Sequence, residues 1–147
     1  MRRLQILLGV ISLIGMAASA YALYLHYAPT ASSFCNVSAT LNCDLVNRST
    51  YAELLGVPVA LMGALGYLAL LLGSIFLSKI KQIPFLLLLA SIGGLVFSLY
   101  LTGIEAFVLK TYCIVCIISQ VCILIATILT TSIYRISRKG FQSPTIL

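Results

Sequence analysis

The residues of this sequence best suited to chemistry are five cysteines: Cys35, Cys43, Cys113, Cys116 and Cys122. Cys113-Ile114-Val115-Cys116 has an i, i+3 spacing, which puts both sulfurs on one face of a helix. At the start of a helix, unpaired amides and the helix dipole stabilise a thiolate, and thiols of Cys-x-x-Cys motifs commonly have lowered pKa values. The spacing therefore predicts a reactive dithiol, with two packing cysteines as the alternative.

Cys35 and Cys43 form a second pair, separated by seven residues in a polar segment rich in Ser, Thr and Asn. A loop lets two such cysteines meet, and it can also carry a thiol toward another disulfide, so this pair is either redox-active or a static structural link. Four cysteines could also bind zinc, but no histidine lies near them and the loop spacing is not the usual short one. Cys122 lies two turns into an apolar stretch, which favours a packing role.

The segments that must position these cysteines are apolar. Apolar residues make up 61% of the 147-residue chain and charged residues 8%, whereas a soluble domain carries about 25% charged residues. Four stretches, at about 4–27, 57–77, 83–109 and 112–133, are long enough to cross a hydrocarbon core of roughly 30 Å as helices. We therefore predict an all-α integral membrane protein, a single domain over 1–147 built as a four-transmembrane-helix bundle. A long loop at 28–56 joins the first two helices, and 51–55 within it is predicted to form a short surface helix.

The basic residues predict the orientation of the chain. Four spans put both termini and the link between the second and third spans on one side, which holds seven basic residues, against Arg48 and Lys110 on the other. An excess of Lys and Arg marks the cytoplasmic side. Both cysteine pairs are therefore expected to face outward, into an oxidising compartment where disulfides persist.

The net charge of +6 does not indicate nucleic-acid binding, because the basic residues lie at the ends of the apolar stretches rather than in a stripe with interleaved aromatics. Membrane lipid is the expected partner of this surface. Glu105, an acid near the outer end of the third span, is expected either to reach water or pair with Lys110, or to have a role in proton transfer or in shaping the site. His26, at the outer end of the first span, is interpreted as an interfacial residue.

Several motifs together resemble those of the vitamin K epoxide reductase family. They are the two loop cysteines, Asp and Val soon after the second one, a serine six residues after it, Gly-hydrophobic-Pro at the start of a span, and Cys-Ile-Val-Cys at the head of the fourth span. The matching residues are Cys35, Cys43-Asp44-Leu45-Val46, Ser49, Gly56-Val57-Pro58, Ser98-Leu99-Tyr100-Leu101 and Cys113-Ile114-Val115-Cys116. The resemblance extends from the first span through the fourth.

The resemblance implies an oxidoreductase that acts on thiols or disulfides, with a quinone as the electron acceptor. By this likeness, Cys35 exchanges with a thioredoxin-like (DsbA-like) partner, and Cys43 passes electrons to Cys113. Cys116 is then the residue that faces the ring of a ubiquinone or menaquinone. Such an enzyme supports disulfide formation outside the cytoplasm.

Three further residues are expected at the site. Ser49 matches a serine of the family that helps to set the site through hydrogen bonding. Phe34 and Tyr112 belong to a group of aromatic residues at the outer boundary, and they are the expected walls of the quinone pocket. No metal is expected.

Two positions depart from the family member that recycles vitamin K. Gln120 stands where that member has Tyr, and Leu70-Leu71-Leu72 offers no counterpart to its quinone-binding Asn. These departures favour quinone itself as the substrate, as in bacterial relatives of the inner (cytoplasmic) membrane that oxidise a secreted or periplasmic thioredoxin-like protein. Some relatives carry a fused thioredoxin domain; this chain does not, so its partner is expected to be a separate protein.

Three alternatives stay open at this point. One is vitamin K (epoxide) reduction, and another is a non-catalytic membrane protein with structural disulfides. The third is a quinone-linked thiol oxidase of the DsbB type, which is disfavoured because its Cys-x-x-Cys motif lies in the first outer loop rather than at the head of the fourth span.

Overall fold

Length and hydropathy explain the long helices of the computed structural model, which describes residues 2–27, 36–77 and 80–141. In chain order the helices are α1 (Arg2–Tyr27), the short α2 (Cys43–Asn47), α3 (Val59–Phe76), α4 (Ile83–Ile104) and α5 (Ile114–Phe141). A π-helical turn, Glu105–Leu109, extends α4, so that the third span covers Ile83–Leu109. All helices but α2 are long and apolar enough to cross a membrane. The predicted four-helix integral membrane fold is confirmed.

The helix of the fourth span, α5, extends beyond its predicted end at residue 133. It continues to Phe141, and its last turns carry Arg138 and Lys139. Cations suit this end because the C-terminus of a helix carries a partial negative charge.

The four long helices pack as antiparallel neighbours. α1 contacts α3 and α5, and α4 contacts α5 and, less extensively, α3. Polar bonds between helices reinforce the packing: the hydroxyls of Ser91 and Thr130 are 2.7 Å apart, and Thr127 Oγ1 donates to Ser91 O at 3.2 Å. In lipid such bonds hold helices together where the hydrophobic effect cannot.

A close approach at the centre of the bundle depends on a glycine. Gly15 of α1 faces the ring of Tyr67 in α3, and a Cβ at this position would collide with that ring. The hydroxyl of the same tyrosine donates to Ser119 O of α5 at 2.6 Å. Glycine thus lets three helices meet around one aromatic side chain.

The loop between α1 and α3 contains the features that the sequence predicted least well. The helix predicted at 51–55 is wrong: the chain instead forms α2, a single 3-10 turn (Thr50–Ala52) and a hairpin of β1 (Glu53–Leu54) and β2 (Val57–Pro58). Asn42 caps α2 by accepting from Leu45 N at 3.0 Å. Leu55 and Gly56 turn the hairpin with φ values of 55° and 79°, which no helix can contain.

The loop is fastened to the link between the third and fourth spans. Asn42 N donates to Tyr112 O at 3.2 Å, and Tyr112 N donates to Thr40 O at 2.9 Å. The link itself turns at Lys110, which has a left-handed φ of 51°. This pairing brings the start of α2 against the start of α5, and with it Cys43 against Cys113.

Candidate functional site

Cys113 is the N-cap of α5. Its carbonyl accepts the first helical bond, from Ile117 N at 3.0 Å, and its sulfur accepts from Cys116 N at 3.4 Å. An N-cap side chain normally satisfies one of the unpaired amides of the first turn. Here a sulfur takes that position, so the helix start is built to hold a thiolate. This is the geometry that the Cys-x-x-Cys spacing predicted, with Cys116 in the first turn.

Two sulfurs from distant parts of the chain meet at this point. Cys113 Sγ lies 3.1 Å from Cys43 Sγ, although 70 residues separate them in the sequence. Both side chains have no exposed surface. Cys43 is disulfide-bonded in the structure, whereas Cys113 and Cys116 are free thiols. A free sulfur in contact with a disulfide sulfur is the arrangement from which thiol–disulfide exchange starts.

The surroundings of Cys113 favour its thiolate. The pKa of this thiol is lowered, chiefly by the hydrogen bond from the Cys116 side chain, and the amides of Cys116 and Val115 act in the same direction. Burial and the Glu105 carboxylate act in the opposite direction. Because the thiolate is the nucleophile, Cys113 is the more easily activated thiol for exchange with Cys43.

Glu105 reaches into the site from the π-helical turn. It is buried, and its Oε2 accepts from Cys113 N at 3.3 Å. Its backbone carbonyl accepts from Thr111 N at 3.2 Å. Of the roles expected for Glu105, the observed contacts correspond to shaping the site, because the side chain fixes the backbone of Cys113 while Lys110 is exposed.

A cavity opens on the other side of Cys116. Its volume is about 390 Å³, and it lies between α1, α3, α4 and α5. Small-molecule sites usually measure about 300–1,000 Å³ and are mainly apolar with a few polar groups. Most of the walls here are apolar, and the polar groups include Cys116, Ser119 and the Tyr67 hydroxyl. The cavity is therefore large and apolar enough to hold the ring of a small molecule next to a thiol.

The residues predicted for the site differ in where they lie relative to the cavity. Ser49 lines the cavity, and its hydroxyl donates to Val46 O at 2.8 Å, which tightens the end of α2. Tyr112 is not among the described residues that line the cavity; its backbone pairs with the loop, and the residue is 40% exposed. Cys35 and Phe34 lie outside the described residues.

Three residues at the site were missed by the sequence reasoning. Asn47 is buried with its side-chain amide facing the Cys113 sulfur, and Tyr67 lies in the cavity wall. His26, interpreted as interfacial, is half-buried: its Nδ1 donates to Asn47 O at 2.5 Å, and its Nε2 lies 3.1 Å from Glu53 Oε1. Asn47 could have been predicted only from its position, because it is a polar residue one helical turn after Cys43. Cys122, expected to pack, is buried in the apolar core.

Comparison with known protein families gives a match to the vitamin K epoxide reductase family over residues 6–131. The matched range contains the four transmembrane helices except for the first turn of α1 and the last turns of α5, together with the loop with α2 and the Cys-x-x-Cys motif.

Proposed function

The chain belongs to the vitamin K epoxide reductase family, a family of membrane oxidoreductases, and we propose on this basis that it is a thiol oxidase that reduces a quinone. In this proposal it reoxidises a thioredoxin-like (DsbA-like) partner and passes the electrons through Cys35 and Cys43, then Cys113 and Cys116, to ubiquinone or menaquinone. The observation that carries the proposal is the 3.1 Å contact between Cys43 Sγ and Cys113 Sγ. A purely structural disulfide has no need of a third sulfur at that distance.

The first half of the relay takes electrons from the partner. A partner thiolate attacks Cys35 in a Cys35–Cys43 disulfide and releases Cys43 as a thiolate. Cys43 attacks Cys113 in the Cys113–Cys116 disulfide, and Cys116 leaves as a thiolate. Each step breaks one S–S bond and forms one, so no electrons are lost.

The second half restores the loop pair. The partner's second thiolate attacks its own sulfur in the mixed disulfide, which completes the partner's disulfide and releases Cys35. Cys35 then attacks Cys43 in the Cys43–Cys113 bond and frees Cys113. Two electrons have now moved from the partner to Cys113 and Cys116. The observed combination of a disulfide-bonded Cys43 with free Cys113 and Cys116 corresponds to this stage.

The final transfer takes place at the cavity. The Cys113–Cys116 dithiol gives two electrons and two protons to the quinone, and its disulfide re-forms. Cys116 borders the cavity and would face the ring, while Tyr67 and Ser119 are hydroxyl-bearing residues of the cavity wall. Glu105 would keep the Cys113 amide, and hence the Cys113 sulfur, in the same position during the transfer.

The orientation of the chain is part of the proposal. The charge distribution favours cytoplasmic termini and an active site that faces outward. A bacterial inner membrane is the membrane that fits a separate secreted or periplasmic partner and a quinone pool. The coupling would keep the outer compartment oxidising, because the quinone sets the potential of the relay.

The test uses the purified chain in lipid nanodiscs with a reduced thioredoxin-like protein and, separately, ubiquinone, menaquinone and vitamin K epoxide. We expect quinone reduction by the wild-type chain and its loss in Cys116→Ala and in Cys43→Ala, with Cys122→Ala as the matched control that keeps full activity. A partner variant that keeps only its attacking cysteine should accumulate as a mixed disulfide with Cys35 of the wild-type chain, because it has no second thiolate to resolve that bond.

Three results would contradict this function. Turnover by Cys116→Ala at near the wild-type rate would exclude the relay. Reduction of vitamin K epoxide in preference to both quinones would assign the alternative activity of the family. Absence of turnover with all three substrates would favour the structural interpretation of the cysteines.

A further inference from the structure

The Asn47 side chain faces the sulfur of Cys113, one of the two cysteines that exchange. Its Nδ2 donates to Cys43 O at 2.9 Å and points toward Cys113 Sγ at 3.6 Å. Both partners are acceptors, so the amide nitrogen must be the atom that faces them. One N–H thus fixes the side chain to its own helix, and the other faces the sulfur of a different segment.

The backbone of Asn47 is held by a further hydrogen bond. Its main-chain carbonyl accepts from His26 Nδ1 at 2.5 Å, and the same imidazole lies against Glu53 Oε1. The residue is buried and is one helical turn after Cys43, so Cys43 and Asn47 share the face of α2 that meets Cys113. A donor whose side chain is bonded to Cys43 O and whose backbone is bonded to His26 needs little reorganisation when charge develops in front of it.

We propose that Asn47 is a positioning residue of the relay, which orients the Cys113 sulfur toward Cys43 and donates a hydrogen bond to it when it is a thiolate. This inference rests on the proposed function. No acid–base role is assigned to Asn47, which acts only through Cys113.

The chemistry of the exchange explains why a donor is needed here. Cys113 carries negative charge when the attack of Cys35 on Cys43 releases it, and this happens in a buried site. Cys116 stabilises that charge through its thiol and amide, while the Glu105 carboxylate opposes it. Asn47 adds a donor from the α2 side, the side on which Cys43 lies. Hydrogen bonds to charged groups contribute more than those between neutral groups.

The experiment measures the thiolate of Cys113 by its ultraviolet absorbance as a function of pH. The protein is the full chain in nanodiscs, with the loop disulfide oxidised and Cys122→Ala, and the signal of Cys113→Ser is subtracted. Asn47→Leu removes the donor at similar size, and Asn47→Asp keeps the shape of the side chain but replaces the donor by an acceptor. Asn42→Ala is the matched control, because it removes the cap of α2 without touching Cys113.

We expect both Asn47 variants to contain about tenfold less thiolate than the parent at a given pH below the ordinary cysteine pKa. Asn42→Ala should lower the melting temperature and leave the titration unchanged. A titration that is the same in both Asn47 variants as in the parent overturns the inference, and so does an equal shift in Asn42→Ala. If Asn47→Leu fails to fold, the titration of Asn47→Asp tests the inference by itself.

The titration needs neither partner nor quinone, so its outcome is separate from that of the turnover assay. If the wild-type chain reduces no quinone but the Asn47 variants shift the titration, the proposed relay is wrong, while the hydrogen bond from Asn47 to the Cys113 thiolate is supported. If turnover is normal and the titration does not move, the inference about Asn47 fails alone.

Discussion

Replacing Cys35 and Cys116 together by alanine leaves Cys43 and Cys113 as the two facing thiols of the site. We expect them to join in a disulfide without any rearrangement of the helices. Their sulfurs lie 3.1 Å apart, and a disulfide bond measures about 2.05 Å. The sulfurs therefore need to approach by about 1 Å, which a small rotation of two side chains provides.

The expected stabilisation follows from the position of this bond in the chain. It would close a loop of 70 residues, and the chain-entropy account then gives roughly 4 kcal/mol of added free energy of unfolding. The loop cysteine and the helix-start cysteine would be locked in the geometry of the relay intermediate. The oxidised variant should accordingly melt at a higher temperature than its reduced form.

The assay counts free thiols with a maleimide polymer on a non-reducing gel, before and after a mild thiol oxidant. The matched control is Cys35→Ala/Cys113→Ala/Cys116→Ala, which keeps Cys43 and Cys122. Cys122 lies nine residues further along α5, roughly 13 Å deeper at 1.5 Å per residue, so no bond should form in the control. If Cys43 and Cys113 both remain free after oxidation of the double variant, the proposed electron path is refuted.

Three other perturbations have definite expected outcomes. Gly15→Ala should cost about 1–3 kcal/mol of stability by thermal unfolding, because its Cβ overlaps the Tyr67 ring, and an unchanged melting temperature would contradict this packing. Leu55→Asn should raise stability by up to about 1 kcal/mol, because asparagine tolerates the positive φ observed there; a drop in melting temperature would argue against strain at the turn. Since the pKa of Cys113 is lowered, its thiolate persists below the ordinary value of about 8.5. The rate of exchange between Cys43 and Cys113, followed by quenched gels, should then fall only when the pH drops through this lowered pKa. A fall already at the ordinary cysteine pKa would exclude the lowering of the Cys113 pKa.

The same sign applies to the stability of the reduced protein. A thiol whose folded pKa lies below its unfolded pKa contributes stability that is fully present above the unfolded value. That contribution is lost as the pH falls through the folded value. Cys113→Ser should therefore flatten this part of the pH dependence of the melting temperature.

Much of the fold could be predicted because the signals were local. A stretch of apolar residues becomes a helix in lipid whatever its neighbours are, since its backbone must bond internally. The i, i+3 spacing likewise fixed where the sulfurs of Cys113 and Cys116 point. The hairpin at Glu53–Pro58 could not be predicted in this way, because its strands of two residues show no alternation and its turn begins with Leu55 rather than Asn or Gly.

The candidate site was only partly predictable, for a different physical reason. Tyr112 was expected in the cavity because aromatic residues gather at membrane boundaries, yet its backbone is used to fasten the loop. Tyr67 has no distinguishing pattern in an apolar helix, and only the approach of α1 at Gly15 and of α5 at Ser119 makes it part of the cavity wall. A residue's role at a helix interface depends on the neighbours that other segments supply.

The sequence by itself determined that this protein lies in lipid, that it has four spans, and that a dithiol lies at the head of the last span. These follow from transfer of apolar residues to lipid and from helix geometry, both of which act over short stretches of chain. The tertiary structure alone decided that Cys43 meets Cys113 across 70 residues, and that the Asn47 amide and the Glu105 carboxylate converge on the same cysteine. Those contacts depend on the pairing of the loop with the α4–α5 link and on how closely the helices pack, neither of which is encoded in the spacing of any single motif.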